Sequence, residues 1–374
     1  MHSRQHRTAR YGSAIAFVLV SATILDQVVA QPVPTSPFLS QCLQANASSN
    51  NSTVVALLSA ADTTDCLEAS QRLSSRRDLS LPGLQLQDIS ALSSFPQLAE
   101  LYLDGNQITD LTPLRRLSNL QSLSLSGNGI SDIAPLSWLT ALTELYLNQN
   151  QLQDLQPLAA LTNLEELQLN DNAIQNLQPL SSLTHLTHLE FSRNQASDLQ
   201  PLQPLSNLEI LSLDGNQITQ LAPLAALNNL TVLYLDRNQV NDASPLLDLT
   251  QLTELYLNGN PMAEGDRLSV EQVVHRRRLE LTQACPGCNL TNLDLSNADL
   301  IGASLSRADL SGANLSGADL VGANLTYADL RNANLEGADL SAAALQDADL
   351  AGAVQQNTIL CGATLPNGDQ VTCP

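Results

Sequence analysis

The sequence predicts a repeat protein of two solenoids in series: a horseshoe of short strands and 3₁₀ turns, then a narrower coil. Three observations predict it. Asparagine recurs every 22 residues, at Asn106, Asn128, Asn150, Asn172, Asn194, Asn216, Asn238 and Asn260, within the pattern LxxLxLxxNxIxxLxPLxxLxx. A fixed period of this length means stacked coils that bury their apolar faces against one another. Past Asn289 the period becomes five: leucine recurs from Leu290 to Leu350, and alanine stands two residues before it from Ala298 to Ala348. Finally, six cysteines lie in pairs at the solenoid ends, and none falls inside a 22-residue repeat.

Composition narrows the function classes. The 374 residues suffice for two or three domains, and aromatic residues make up only 3%, as suits an aliphatic leucine core. The net charge is −21, and all sixteen cationic side chains are arginine. Such an acidic chain repels phosphate, which argues against nucleic acid and against an anionic membrane surface as partners.

The elements follow in order. Residues 1–30 read as a signal peptide, with Arg4, Arg7 and Arg10 ahead of an apolar run from Tyr11 to Leu25 and small residues up to Ala30. Export is therefore expected, to the periplasm or the outside of the cell. The apolar run is short for a membrane span, and no later stretch is apolar enough to cross a bilayer. Residues 31–75 form an N-terminal helical cap, entered through the proline-rich segment 31–41. Asp62 or Thr64 is placed to cap a helix running through DCLEASQRL.

The 22-residue repeats occupy residues 76–262, and Leu84 replaces the asparagine in the first, degenerate unit. In each unit LxL forms a short strand with its leucines inward. The asparagine side chain pairs buried backbone at the turn, since a buried polar group must be bonded. Pro113, Pro135, Pro157, Pro179, Pro201, Pro223 and Pro245 open a 3₁₀ turn on the convex side, because proline fixes φ and needs no N–H in a first turn. Residues 263–284 break the period and read as a helical cap or linker. There Ser269 and Gln272 form a capping box, Leu268 and Val273 a hydrophobic staple, and Arg276, Arg277 and Arg278 lie near the far end.

The five-residue coil spans residues 285–365, with one small and one large inward side chain per unit. Its register fails at Gln355 and returns at Leu360 and Leu365, before a C-terminal tail of residues 366–374. The even number of cysteines in an exported chain predicts disulfides that close the open solenoid ends: Cys42–Cys66, Cys285–Cys288 and Cys361–Cys373. Fifteen connectivities of six cysteines remain formally open.

The repeats of residues 76–262 resemble the internalin type of bacterial leucine-rich repeat, and those of residues 289–352 resemble the pentapeptide-repeat family. The second resemblance implies a right-handed quadrilateral β-helix with four pentapeptides per coil, so that thirteen units make a little over three coils. Internalin-like proteins bind other proteins on the concave face. Some pentapeptide proteins mimic DNA, which makes a DNA-mimic regulator the first alternative function. Nine acids and two arginines in residues 289–352 are compatible with it.

The third, fifth and seventh positions of LxxLxLxxN project onto the concave face. The fifth column holds Tyr102, Tyr146, Tyr234 and Tyr256, four of the six tyrosines in the chain, and the third holds Glu100, Glu144, Glu166 and Glu254. Tyrosine on an exposed strand face gives large contact area for little lost entropy, so these eight residues are the candidate protein-binding site. Tyrosine also has high strand propensity and stacks on neighbouring rungs, which is the structural reading of the same column. Seventeen Asp and Glu against four Arg in residues 98–262 favour a basic partner, although the same charge also serves solubility.

Metal and catalytic readings are weaker. His185, His188 and Glu190 lack a common face for zinc, Asp104, Asp214 and Asp236 are widely spaced for calcium, and Cys285-Pro-Gly-Cys288 lacks a thioredoxin-like βαβ context. No nucleophile, base and orienting group can be assembled. The sequence thus points to an exported, non-enzymatic, monomeric scaffold that binds a partner protein without a cofactor, with a purely structural envelope role as a further alternative. An outward column of Asp299, Asp309, Asp319, Asp329 and Asp339 marks the second solenoid.

Overall fold

The computed structural model describes residues 36–45 and 51–373. The expected signal segment, residues 1–30, lies outside the described residues. Three helices cover the first open end: α1 (Pro37–Ala45), α2 (Ser52–Ala60) and α3 (Cys66–Ser74). Asn51 caps α2, accepting the N–H groups of Thr53 and Val54, and Asp65 caps α3, accepting the Glu68 N–H at 2.8 Å. The cap of α3 is therefore neither Asp62 nor Thr64. Asp62 turns to φ +51°, and only Asp65 stands directly before the first helical turn. The Cys42–Cys66 disulfide joins α1 to α3, and Phe38 packs 5.6 Å from Phe95, so the cap shares one core with the repeats.

Nine strands follow, β1 (Asp78–Ser80), β2 (Glu100–Tyr102), β3 (Ser122–Ser124), β4 (Glu144–Tyr146), β5 (Glu166–Gln168), β6 (His188–Glu190), β7 (Ile210–Ser212), β8 (Val232–Tyr234) and β9 (Glu254–Tyr256). They pair in chain order, all parallel, each residue facing the one 22 positions on. The central leucine of every strand is buried and its two neighbours face the other way. Each rung of the horseshoe is one such strand, and β1 to β9 make rungs 1 to 9.

The asparagine column holds the turns. In Asn216, Nδ2 donates to the carbonyls of Phe191 (2.9 Å) and Leu213 (3.0 Å), while Oδ1 accepts the Ala196 N–H (3.0 Å). One side chain thus pairs backbone of its own rung and of the rung before, and its neighbours repeat the pattern. On the convex side each proline sits in the first turn of a 3₁₀ segment, as in Thr112–Arg116. The residue two positions before the segment's first non-proline N–H closes it: Asp110, Asp132, Asp154, Asp198 and Asp242 accept the N–H of Thr112, Ala134, Gln156, Gln200 and Ser244.

Helix α4 (Glu264–Thr282) ends the horseshoe. It begins five residues before Ser269, with Glu264 and Asp266 at its positive end, so Ser269 and Gln272 form no capping box and Leu268 and Val273 no staple. Gln272 Nε2 donates instead to the carbonyl and hydroxyl of Thr291. The three arginines are not in the last turn, because the helix continues to Thr282. Arg276 pairs Glu280 at 2.8 Å, Arg277 donates to the carbonyls of Leu249 and Leu247, and Arg278 reaches the Ala284 carbonyl. Val270 and Val274 belong to the core of the horseshoe, and Leu279 to the core that follows.

In the second solenoid, parallel bridges join residues 20 apart, so four pentapeptides make one coil. The buried column of leucines and alanines lines its interior. One bridged column runs Ala284, Ser304, Asn324, Ala344, Thr364, four coil spacings, because pairing extends past the thirteen regular units at both ends. Backbone pairing carries through the lapse at Gln355, where Val354 and Ile359 still bridge to Asn334 and Asp339. The ends carry the Cys285–Cys288 and Cys361–Cys373 disulfides, and among the described residues no cysteine is free.

Candidate protein-binding surface

The strand register stacks the fifth-position side chains as Ser80, Tyr102, Ser124, Tyr146, Gln168, Glu190, Ser212, Tyr234 and Tyr256. The four tyrosines share one column but form two separate pairs. Tyr234 and Tyr256 occupy adjacent rungs and stack, with centroids 4.7 Å apart and planes 7° apart. Tyr102 and Tyr146 flank the small rung of Ser122 and Ser124, which are only 5% and 7% exposed, so the larger side chains on either side close over them.

The glutamates are coupled to the tyrosines. Tyr102 donates to Glu100 at 3.1 Å, Tyr146 to Glu144 at 3.3 Å and Tyr256 to Glu254 at 3.2 Å. Burial first, then the Glu166 and Glu144 carboxylates, push the Tyr146 hydroxyl above the ordinary phenol range. Burial and then Glu254 do the same to Tyr256. These phenols remain neutral hydrogen-bond donors to the neighbouring glutamates. Glu166 accepts from Gln168 Nε2 (2.9 Å) and Glu190 from Asn170 Nδ2 (2.6 Å).

The seventh column is structural. Asp104 Oδ1 accepts the Ser126 N–H, Asn148 Oδ1 the Asn170 N–H, Asp214 Oδ1 the Asp236 N–H and Asp236 Oδ1 the Asn258 N–H, each one rung on. Asp104, Asp214 and Asp236 thus spend an oxygen on backbone, which is the role of that column rather than a calcium site. Together with the five convex caps, eight of the seventeen acids in residues 98–262 hold backbone N–H groups. That portion of the acidity says little about a partner. His185 Nδ1 lies 2.8 Å from the Thr162 carbonyl and His188 Nδ1 2.8 Å from the Thr187 hydroxyl, so the two rings answer to different neighbours. Among the described residues no three His, Cys, Asp or Glu side chains come together as a metal site needs.

The aspartates of the second solenoid do not form one outward column. Bridges place Asp299, Asp319 and Asp339 on one side and Asp309, Asp329 and Asp349 two pentapeptides away, on the opposite side. Each accepts the N–H two residues on, as Asp339 does from Ser341 at 2.9 Å. Asn314, Asn324 and Asn334 cap their corners in the same way, so the corner needs a side-chain oxygen acceptor and not a charge.

Comparison with known proteins fits this architecture. Residues 118–160, 162–204 and 206–248 match the model for leucine-rich repeats, and residues 288–326 and 318–354 that for pentapeptide repeats. No curated protein matches the sequence. Internalin C2 of Listeria monocytogenes is 36% identical, over 55% of this chain and 92% of that one, with a TM-score of 0.53. An internalin (inlF) of the same organism is 25% identical over 75% of this chain and 89% of that one, also with a TM-score of 0.53. The chain belongs to the internalin-like leucine-rich repeat family.

In this internalin-like chain a pentapeptide coil follows the leucine-rich repeats. Three further residues share the columns of the candidate residues. Ile210 and Val232 sit half-buried in the third column beside Ser212 and Tyr234, and Glu190 sits in the fifth. Their signal was present: reading each rung across, rather than each column down, puts Ile210 and Val232 next to the tyrosine stack.

Proposed function

We propose that this internalin-like protein is an exported, non-enzymatic scaffold that recognises a partner protein on the concave face of its leucine-rich repeats. One observation carries the reading: the inner face of nine parallel strands displays four tyrosines and a line of glutamates in columns that vary from rung to rung. Core leucines and the asparagine column already build the horseshoe, whereas the third and fifth columns vary from rung to rung. Variable side chains on a constant frame are what a recognition surface needs. Disulfides at all three solenoid junctions support an oxidising compartment outside the cytoplasm.

The DNA-mimic alternative draws on the acids of the second solenoid. Their split onto opposite sides, and their use as corner caps, weigh against it. The test is capture of partners from a periplasmic or extracellular extract by the native protein and by a variant with Tyr102, Tyr146, Tyr234 and Tyr256 changed to serine. Loss of a partner from a folded variant supports the concave face. Equal capture by both moves recognition to the convex side or the pentapeptide coil, and no partner favours a structural envelope role.

A further inference from the structure

The concave face is not uniform along its length. On rungs 2 to 6 its third and fifth columns present Glu100, Glu144, Glu166 and Glu190. Each has only neutral hydrogen-bond donors, and among the described residues none is in an ion pair. At the other end, Glu254 on rung 9 has Arg278 of α4 at 3.7 Å, and Arg267 reaches Asn258 at 3.3 Å. Rungs 7 to 9 also carry the apolar side chains Ile210 and Val232 beside the Tyr234–Tyr256 stack, where Tyr256 is 37% exposed. In the third and fifth columns, one end is therefore bare carboxylate, and the other is apolar, its single carboxylate Glu254 paired to the closing helix.

Building on the concave-face reading, we infer that this face is polarised along the solenoid axis. It fits a partner protein that presents Lys or Arg side chains to rungs 2 to 6 and an aliphatic or aromatic anchor to rungs 7 to 9. Charge complementarity assigns the first end. Carboxylates held one or two rungs apart, about 4.8 Å per rung, sum their fields and lack ion-pair partners to cancel them. The second end has, in its third and fifth columns, the composition of an interface centre, with aromatic area and a single, paired carboxylate. The two ends do different work. The acidic end steers encounter and is screened by salt, whereas the apolar end slows dissociation and is insensitive to salt. Rungs 2 to 9 span roughly 34 Å, the reach of about ten extended residues or a helix of about 23.

Two labelled peptides test this on the full chain by fluorescence anisotropy between 20 mM and 500 mM NaCl. One carries four Lys-Arg pairs. The other joins the same basic block through a Gly-Ser spacer to a Leu-Val-Phe-Leu block. The expected result is steeply salt-dependent binding of the first peptide, and tighter binding of the second with the same salt slope. Glu100→Gln, Glu144→Gln, Glu166→Gln and Glu190→Gln together should weaken both at low salt by about tenfold or more. Val232→Ser, Tyr234→Ser and Tyr256→Ser together should remove only the gain of the second peptide. Salt slopes of the native protein need no variant, so they stand even if a variant fails to fold. The inference is overturned if the glutamine variant binds the basic peptide as before, if the apolar block adds no affinity, or if neither peptide binds at millimolar concentration. Self-association of the chain that the serine variant abolishes would overturn it too, by giving the apolar end to a second copy. None of these outcomes touches the capture experiment, which tests concave-face recognition by itself.

Discussion

At the scale of single residues, repetition makes some roles conspicuous and hides others. Asn216 is 6% exposed and bonds backbone on two rungs. Asn216→Ala strands the Ala196 N–H and takes one of two amide donors from each of the Phe191 and Leu213 carbonyls, which keep Asn194 and Asn238; it should cost about 1–3 kcal/mol, read as a lowered urea midpoint. Asn216→Asp should cost more, because a carboxylate would face carbonyl oxygens where Nδ2 now donates. This column was legible in the sequence, since only one side chain type repeats there and a buried amide must be bonded. The aspartate caps were not. Asp110 or Asp214 reads as charge in a string of letters, and only the backbone shows that each oxygen meets an N–H. Alanine in the pentapeptide coil was legible as a size rule. Ala323 is fully buried, so Ala323→Leu should overpack its coil and cost roughly 1–3 kcal/mol, measurable in the same way.

At the scale of elements, the caps carry most of what composition could not foretell. The capping-box pattern at Ser269 misled because the helix begins upstream of it, and a four-residue motif carries no information about where the chain became helical. Helix α4 also contains His275, whose Nδ1 lies 3.3 Å from the Asn289 backbone. Burial holds this imidazole below its ordinary value, against the Asn289 bond and Glu271, which favour the proton. The unfolded chain therefore binds a proton in a range where the folded one does not. The stability that His275 contributes is present above about pH 6.5 and falls as pH drops towards the lowered value. Thermal melts between pH 7.5 and 5 should show this loss, and His275→Gln should flatten it. The Cys42–Cys66 disulfide closes a 24-residue separation between α1 and α3. Its reduction should loosen the N-terminal cap by roughly 3 kcal/mol, seen as faster amide exchange in residues 52–80 before the central rungs respond.

At the scale of the whole molecule, the fold was legible and the surface only partly so. Periods of 22 and five fix the number of coils almost by counting, and the fourth coil is completed where apolar spacing lapses while backbone pairing continues. Which concave side chains stand clear is a different matter. Tyr102 and Tyr234 occupy the same column position, yet one leans over a serine rung and the other lies against a second ring. A one-dimensional period cannot separate these, because the difference lies in the rung next door. Global stability should fall in steps rather than all at once, since each coil touches mainly its neighbours. Arg277→Ala, which removes the side-chain donor from the carbonyls of Leu247 and Leu249, should raise amide exchange in the last repeats and leave the first ones as they were.

Helix α4 seats Val270 and Val274 in one core and Leu279 in the other. An α-helix advances about 100° per residue, so the angle between the two solenoid axes is written in its phase. One alanine inserted between Val274 and Leu279 would lengthen the helix by about 1.5 Å but swing one core's seat by more than a quarter turn against the other. The bearing of the second solenoid relative to the concave mouth is thus a matter of residue count, adjustable in fixed increments without altering a single side chain on either surface.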